Sequence, residues 1–156
     1  MFRLPVMAIE WSKGIFKQEP FMLQFDIYYL FFLTGLVAHD SRILIADDGG
    51  AIHQRDVIDS FPQDYNSSQK LIINLLLITE KNRRAIPDND KTRLRSELLE
   101  KYINPENNSL TTEGFKLANS YAYGGSQILD EKIAPPRDPA DFMIAFLKVL
   151  RDVDKF

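Results

Sequence analysis

Long apolar segments alternate with short polar turns along this chain, and the pattern predicts a mainly α-helical protein. Residues 20–38 are apolar on nearly every side, so we expect a helix in the middle of the fold. Residues 67–85 place Leu and Ile around almost a full circumference, and Pro87 follows. A third helix over 91–103 is apolar on one side only. The first two are therefore predicted to be central, buried helices.

Capping residues predict where the helices begin. Asn66, with Gln69 three residues later, has the spacing of a capping box. Asp88 or Asp90 is expected to cap the third helix. Thr111 is expected to begin a fourth helix after a polar loop.

The last helix carries the most complete signal for an N-terminus. Asp138 is placed to cap it, Pro139 stands at the first helical position and Asp141 at the third.

One segment has strand character. A β-branched run meets Asp-Asp-Gly-Gly within residues 42–53, which predicts either a short β-hairpin or a structured loop. Residues 1–19 lead into the first helix. With 156 residues, 45% of them hydrophobic, we predict a single helical domain over 1–156 with five to six helices.

Two adjacent glycines interrupt the fourth helix, and an interior glycine costs about 1 kcal/mol against alanine. Gly125 belongs to a stripe with intervals of three and four residues, small in the middle and large at both ends: Phe115, Ala118, Ala122, Gly125 and Leu129. We expect Ala118, Ala122, Gly124 and Gly125 to form a close helix-packing surface. A kink or break, or a ligand cradle, are the alternatives.

Charge and cysteine content narrow the functional classes. The net charge of −3 argues against a protein whose whole surface grips nucleic acid, although a local basic patch is compatible with it. The absence of cysteine excludes disulfides, zinc–thiolate sites and a cysteine nucleophile, and it fits a reducing cytoplasm. Residues 21–38 contain Gln24 and Asp26, so we interpret them as a core helix and predict no membrane segment.

Cations concentrate within residues 81–95. We name this group the basic corner; it comprises Lys81, Arg83, Arg84, Lys91, Arg93 and Arg95. Cations at a helix C-terminus are favourable in themselves, which explains the first three without a ligand. Contact with a phosphate backbone or an acidic partner is the functional interpretation.

An acidic and histidine group is the nearest approach to a metal or hydrolytic site, because divalent metals need carboxylates or imidazoles that converge on one point. Its members are His39, Asp40, Asp47, Asp48 and His53. Their spacing fits no ligand motif, and Asp47 and Asp48 are simply explained as turn formers. We predict no catalytic residue, metal or cofactor.

Two segments, one toward each end of the chain, carry a recognisable pattern. In "SKGIFKQEPFMLQFDIYYLFFLTGL" at 12–36 a Gly-Ile-Phe element precedes an aromatic-rich helix, and "LANSYAYGGSQILDEKI" at 117–133 is followed by "DPADFMIAFLKVL". These segments resemble a small accessory family associated with bacterial DNA phosphorothioation systems, although Tyr123 stands where the family has Asn. The resemblance implies an accessory role in DNA modification or phage defence, with other proteins of the system as partners.

We therefore expect a non-enzymatic, cytoplasmic interaction protein that binds a partner protein, and DNA as a further option, through the basic corner. One alternative is a metal-dependent hydrolase or nuclease that uses Asp40, Asp47, Asp48 and His53. Another is a structural subunit that assembles with itself through the aromatic helix over 20–38.

Overall fold

The structure is a computed structural model that describes residues 24–42, 58–134 and 138–153. It is mainly α-helical, as predicted. Its helices are α1 (Gln24–Val37), α2 (Gln69–Arg83), α3 (91–102), α4 (Thr112–Lys132) and α5 (Pro139–Val153), with a short 3-10 turn at Gln63–Tyr65. The β pairing within these ranges is one isolated antiparallel bridge between Ile103 and Leu110. Most of the hairpin predicted for 42–53 lies outside the described residues.

The chain divides into two compact units. The first comprises residues 1–57 and 119–156, and the second comprises residues 58–118. The boundary falls within α4, so the first turns of that helix are described with the second unit. The single domain expected over 1–156 stays a prediction.

Helix α1 supplies much of the core of the first unit. Its buried side chains are Phe25, Ile27, Tyr28, Phe31, Phe32 and Leu36. The Tyr28 hydroxyl donates a hydrogen bond of 3.0 Å to Oδ1 of the buried Asn119, and burial raises the pKa of Tyr28 well above its ordinary value. No helix within the described ranges is long and apolar enough to cross a membrane.

Glycine brings α1 and α4 into backbone contact within the first unit. A Cβ added at Gly125 would lie 2.6 Å from the amide nitrogen of Gly35 and still closer to the carbonyl oxygen of Phe31. A Cβ at Gly35 would in turn fall 2.7 Å from the carbonyl carbon of Tyr121. Helix α4 runs through the glycine pair as one helix. The two helices therefore cross where neither carries a side chain.

Gly124 allows a different segment to approach α4 closely, namely the turn that follows α1. That turn ends the helix with two backbone bonds, from His39 N to Leu36 O (3.1 Å) and from Asp40 N to Gly35 O (2.9 Å), and His39 has a φ of 51°. This is the Schellman arrangement. The Asp40 carbonyl carbon would lie 2.9 Å from a Cβ at Gly124, so the turn also needs glycine there.

Helix α5 is the most one-sided helix of the first unit. Asp138 caps it as predicted, since its carboxylate accepts a 2.9 Å bond from the Asp141 amide. Its buried residues recur every three or four positions: Phe142, Phe146, Val149 and Val153. The opposite face is exposed.

The second unit is built on α2, which buries one face rather than its whole circumference. Ile72, Ile73, Leu76 and Glu80 are buried, whereas Leu71 and Ile78 are 56% and 55% exposed. A smaller cluster of Ile86, Leu98 and Tyr102 packs with Leu77, Leu94 and Leu117.

The N-cap predicted at Asn66 is wrong. Helix α2 begins at Gln69, and Asn66 belongs instead to the 3-10 turn, where its amide donates to the Gln63 carbonyl at 3.2 Å. Residue 68, which precedes α2, makes no side-chain capping bond. Local backbone bonding in the turn after Pro62 therefore takes precedence over the capping-box spacing.

Helix α3 contains a widened turn. Lys91–Arg93 and Glu100–Tyr102 are α-helical, and Leu94–Leu99 between them is π-helical. Asp90 is its N-cap, accepting a 3.1 Å bond from the Arg93 amide, which selects one of the two predicted caps. Thr111 likewise begins α4, because its hydroxyl accepts from the Gly114 amide at 3.1 Å.

Candidate functional site

All six cations of the basic corner belong to the second unit, at the end of α2 and the beginning of α3. Their surroundings separate them into two groups. Lys81, Arg83 and Arg84 are tied to carboxylates around the end of α2, and Lys91, Arg93 and Arg95 are carried by the first turns of α3. The two groups have different physical roles.

Glu80 organises the group on α2. Its carboxylate has no solvent exposure, yet it receives Nε and Nη2 of Arg83, each at 2.8 Å, and Nε of Arg84 at 3.0 Å. A carboxylate at this depth would be costly without partners. The two guanidinium groups compensate its charge and satisfy its oxygens, so their first role is structural.

Arg84 also ties α2 to α3. Its Nη2 donates to the Tyr102 hydroxyl at 2.6 Å, and its Cζ lies 5.6 Å from the centroid of that ring. Its Nη1 is 3.9 Å from Oε2 of Glu97. Because Tyr102 is buried in the apolar cluster of this unit, Arg84 joins the ion-pair group to the hydrophobic packing.

Lys81 pairs with Asp88, and the pair spans the turn that ends α2. In that turn the Ile86 amide donates to the Lys81 carbonyl at 3.1 Å, and Ala85 has a φ of 50°. The ion pair and the backbone bond hold the same short segment, so Lys81 also contributes to local structure.

The cations on α3 pair with partly exposed carboxylates, or with none within the described residues. Arg95 pairs with Glu100 at 3.1 Å, but the two side chains are 77% and 60% exposed. Arg93 pairs with Glu97 at 2.7 Å, and its hydrogen bond lowers the pKa of the Glu97 carboxyl. Lys91 is exposed and makes no ion pair within the described part of the chain.

The positions of these cations on α3 are electrostatically unfavourable for the helix itself. Lys91 and Arg93 stand in its first turn, where the helix dipole favours negative charge. At the end of α2 the same dipole favours cations. Helix stability therefore explains Arg83 and Arg84 but does not explain Lys91.

The charge balance of the corner limits what it can bind. Residues 80–102 carry seven basic side chains and five carboxylates, a net charge of +2. Carboxylates already occupy most of the guanidinium groups. The exposed surface therefore offers a few exchangeable cations rather than a broad positive field.

The acidic and histidine group lies mostly outside the described residues, since Asp47, Asp48 and His53 fall there. Asp40 is held by Arg42, whose Nη2 lies 2.8 Å from its carboxylate, and this hydrogen bond raises the pKa of Arg42. His39 is exposed in the turn after α1. Within the described ranges, no three His, Asp or Glu side chains converge as a metal site would require.

Sequence reasoning missed the role of Glu80. Arg83 and Arg84 follow it at three and four residues, the spacing at which helical side chains meet. That spacing signals an ion pair, but the complete burial of Glu80 depends on tertiary packing. The exposed apolar side of α5 was also missed, although Ile144 and Leu147 lie off the stripe formed by Phe142, Phe146 and Val149.

Comparison of the chain with protein-family models, with curated proteins and with solved structures finds no match.

Proposed function

We propose that this protein is a non-enzymatic interaction protein, and that Lys91, Arg93 and Arg95 form its contact surface for an acidic partner protein. The observation that carries the proposal is the placement of these cations in the first turns of α3. They are at least partly exposed there, and the helix dipole opposes Lys91, which has no ion pair within the described residues to offset it. A residue placed against local stability is a candidate for function.

The cations of this surface can also exchange their present carboxylates for those of a partner protein. An exposed ion pair contributes about 0–1 kcal/mol, so Arg95 can leave Glu100 for a carboxylate of the partner at little cost. Lys91 has no such pair to break within the described residues. Arg83 and Arg84 cannot be exchanged in this way, because a buried carboxylate depends on them.

A protein partner suits this surface better than DNA. Binding to a phosphate backbone draws its affinity from many neutralised phosphates, and residues 80–102, which include the basic corner and its ion-pair partners, have a net charge of only +2. The partly exposed carboxylates of Glu97 and Glu100 would also lie near the phosphates. A partner with a small acidic patch requires only the three exchangeable cations.

The biological setting rests on the family resemblance at 12–36 and 117–133. It supports a proposed role as an accessory of a bacterial DNA-modification or phage-defence system, in the cytoplasm, with other proteins of that system as partners. The absence of cysteine fits a reducing compartment.

Charge reversal on α3 tests the proposal. The double variant Lys91→Glu/Arg95→Glu should recover its host partner at least about tenfold less well than the parent protein, a loss of roughly 1.4 kcal/mol. The measurement is a quantitative pull-down from host lysate, divided into nuclease-treated and untreated samples.

A matched control carries the same charge change elsewhere on the second unit. Lys70→Glu/Lys116→Glu reverses two cations outside the basic corner and should leave recovery unchanged. Equal recovery with both double variants would refute the assigned surface. Recovery that disappears with nuclease would refute the preference for a protein partner.

A further inference from the structure

Helix α5 carries a largely apolar face that is exposed in the part of the chain that the structure describes. Ile144 is 69% exposed, Leu147 59% and Met143 40%, while Phe142 and Phe146 on the other side are buried. At 100° per residue, Ile144 and Leu147 lie within one helical stripe that also contains Ala140 and Arg151. An apolar stripe of this kind on a surface helix is typical of a protein contact.

Two opposite charges flank this stripe on one side in a self-complementary order. Asp141 stands near the N-terminal end of α5, and Lys148 stands toward its C-terminal end. The midpoint between Asp141 and Lys148 lies between residues 144 and 145. Ile144 is next to that point.

We propose that a second copy of this chain binds the exposed face of α5, with the two α5 helices antiparallel about a two-fold axis near Ile144. Such an axis brings each residue opposite the one equally far beyond the midpoint. Asp141 then faces Lys148 of the second copy, and this pair occurs twice.

The apolar residues follow the same symmetry. Ile144 meets its own copy at the axis, and Leu147 meets Met143 of the second copy, because these residues also lie nearly symmetrically about the midpoint. The centre of the contact is therefore apolar and its ends are charged, as in a typical protein interface. A parallel arrangement would place Asp141 beside Asp141 and Lys148 beside Lys148, which is repulsive.

The charged side chains are available for this pairing. Asp141 and Lys148 are both exposed, so they can pair with a second copy without leaving a buried site. Asp141 and Lys148 line a groove of about 500 Å³ beside the stripe, together with Lys132 and Ile133 at the end of α4. The groove gives the second copy's flank room to approach.

The test is the oligomeric state of the full chain and its response to a charge swap. The parent protein should sediment as a dimer at high concentration and dissociate on dilution. Asp141→Lys should weaken the dimer by about tenfold or more, since two attractive pairs become repulsive, and Lys148→Asp should do the same. The combined variant Asp141→Lys/Lys148→Asp should restore the parent affinity.

Each other outcome decides against the proposal. A parent protein that remains a monomer at its highest soluble concentration would overturn it. A dimer that ignores both single reversals, or that the combined variant fails to restore, would place the interface elsewhere. Leu71→Asp, which changes an exposed leucine of α2, is the control and should leave the dimer unaffected. Circular dichroism confirms that each variant is folded.

Discussion

At the scale of single residues, two glycines set the distance between α1 and α4 in the first unit. Gly125 faces the backbone of α1 at Phe31 and Gly35, and Gly35 faces the backbone of α4 at Tyr121. Backbone atoms cannot turn aside as the end of a flexible side chain can. The helix-propensity cost of Gly125 is thus offset by the close contact that it permits.

Gly125→Ala should therefore destabilise the protein even though alanine is the better helix former. We expect a loss at the upper end of the ~1–3 kcal/mol typical of overpacking, because the added methyl meets the Phe31 carbonyl and the Gly35 amide. Urea unfolding followed by circular dichroism measures it. Gln127→Ala on the same helix is the control and should change stability by less than about 0.5 kcal/mol. A neutral or stabilising Gly125→Ala would show that the helices are farther apart.

At the scale of helices, the ends depend on left-handed residues that are not glycine. Helix α2 closes with a Schellman arrangement in which Ala85 has a φ of 50° and the Ile86 amide reaches the Lys81 carbonyl. Alanine has no side-chain group to favour this conformation, whereas histidine and asparagine adopt it more readily. The left-handed conformation of Ala85 therefore costs conformational free energy in the folded state.

Ala85→Gly should stabilise the protein by about 0.5–1 kcal/mol, since glycine adopts the left-handed region without the steric penalty of a Cβ. A rise in the free energy of unfolding in urea would be the expected result. Ala145→Gly, in the interior of α5, makes the same chemical change in right-handed helix and should cost about 1 kcal/mol. If both substitutions destabilise equally, Ala85 is not left-handed in solution.

Local signals predicted the helices well. Asp90, Thr111 and Asp138 stand at the caps as expected, because a cap depends on a hydrogen bond within one turn. Asn66 failed for a local reason too, since a competing 3-10 turn uses its backbone. All-round burial of α2 was expected from its composition, but the structure exposes Leu71 and Ile78. The number of apolar residues in a helix does not show which of its sides packs against another part of the protein.

At the scale of the whole molecule, the basic corner could be located from sequence, and the helix dipole accounted for Lys81, Arg83 and Arg84 without a ligand, but how firmly each cation is held could not be predicted. All six cations were visible in the chain. Their roles depend on tertiary contacts. Glu80 is buried, and Arg84 donates a hydrogen bond to Tyr102, which lies eighteen residues away in sequence. The division into structural and exchangeable cations therefore required the fold.

Two double variants test directly whether Arg83 and Arg84 are structural while Lys91 and Arg95 are exchangeable. Arg83→Met/Arg84→Met and Lys91→Met/Arg95→Met each remove two cations from the basic corner. Equilibrium unfolding in urea should show a loss of about 3–5 kcal/mol for the first pair, because it removes two cationic partners from a buried carboxylate, and less than about 1 kcal/mol for the second. Similar losses for the two variants, or the larger loss for Lys91→Met/Arg95→Met, would contradict this division of roles.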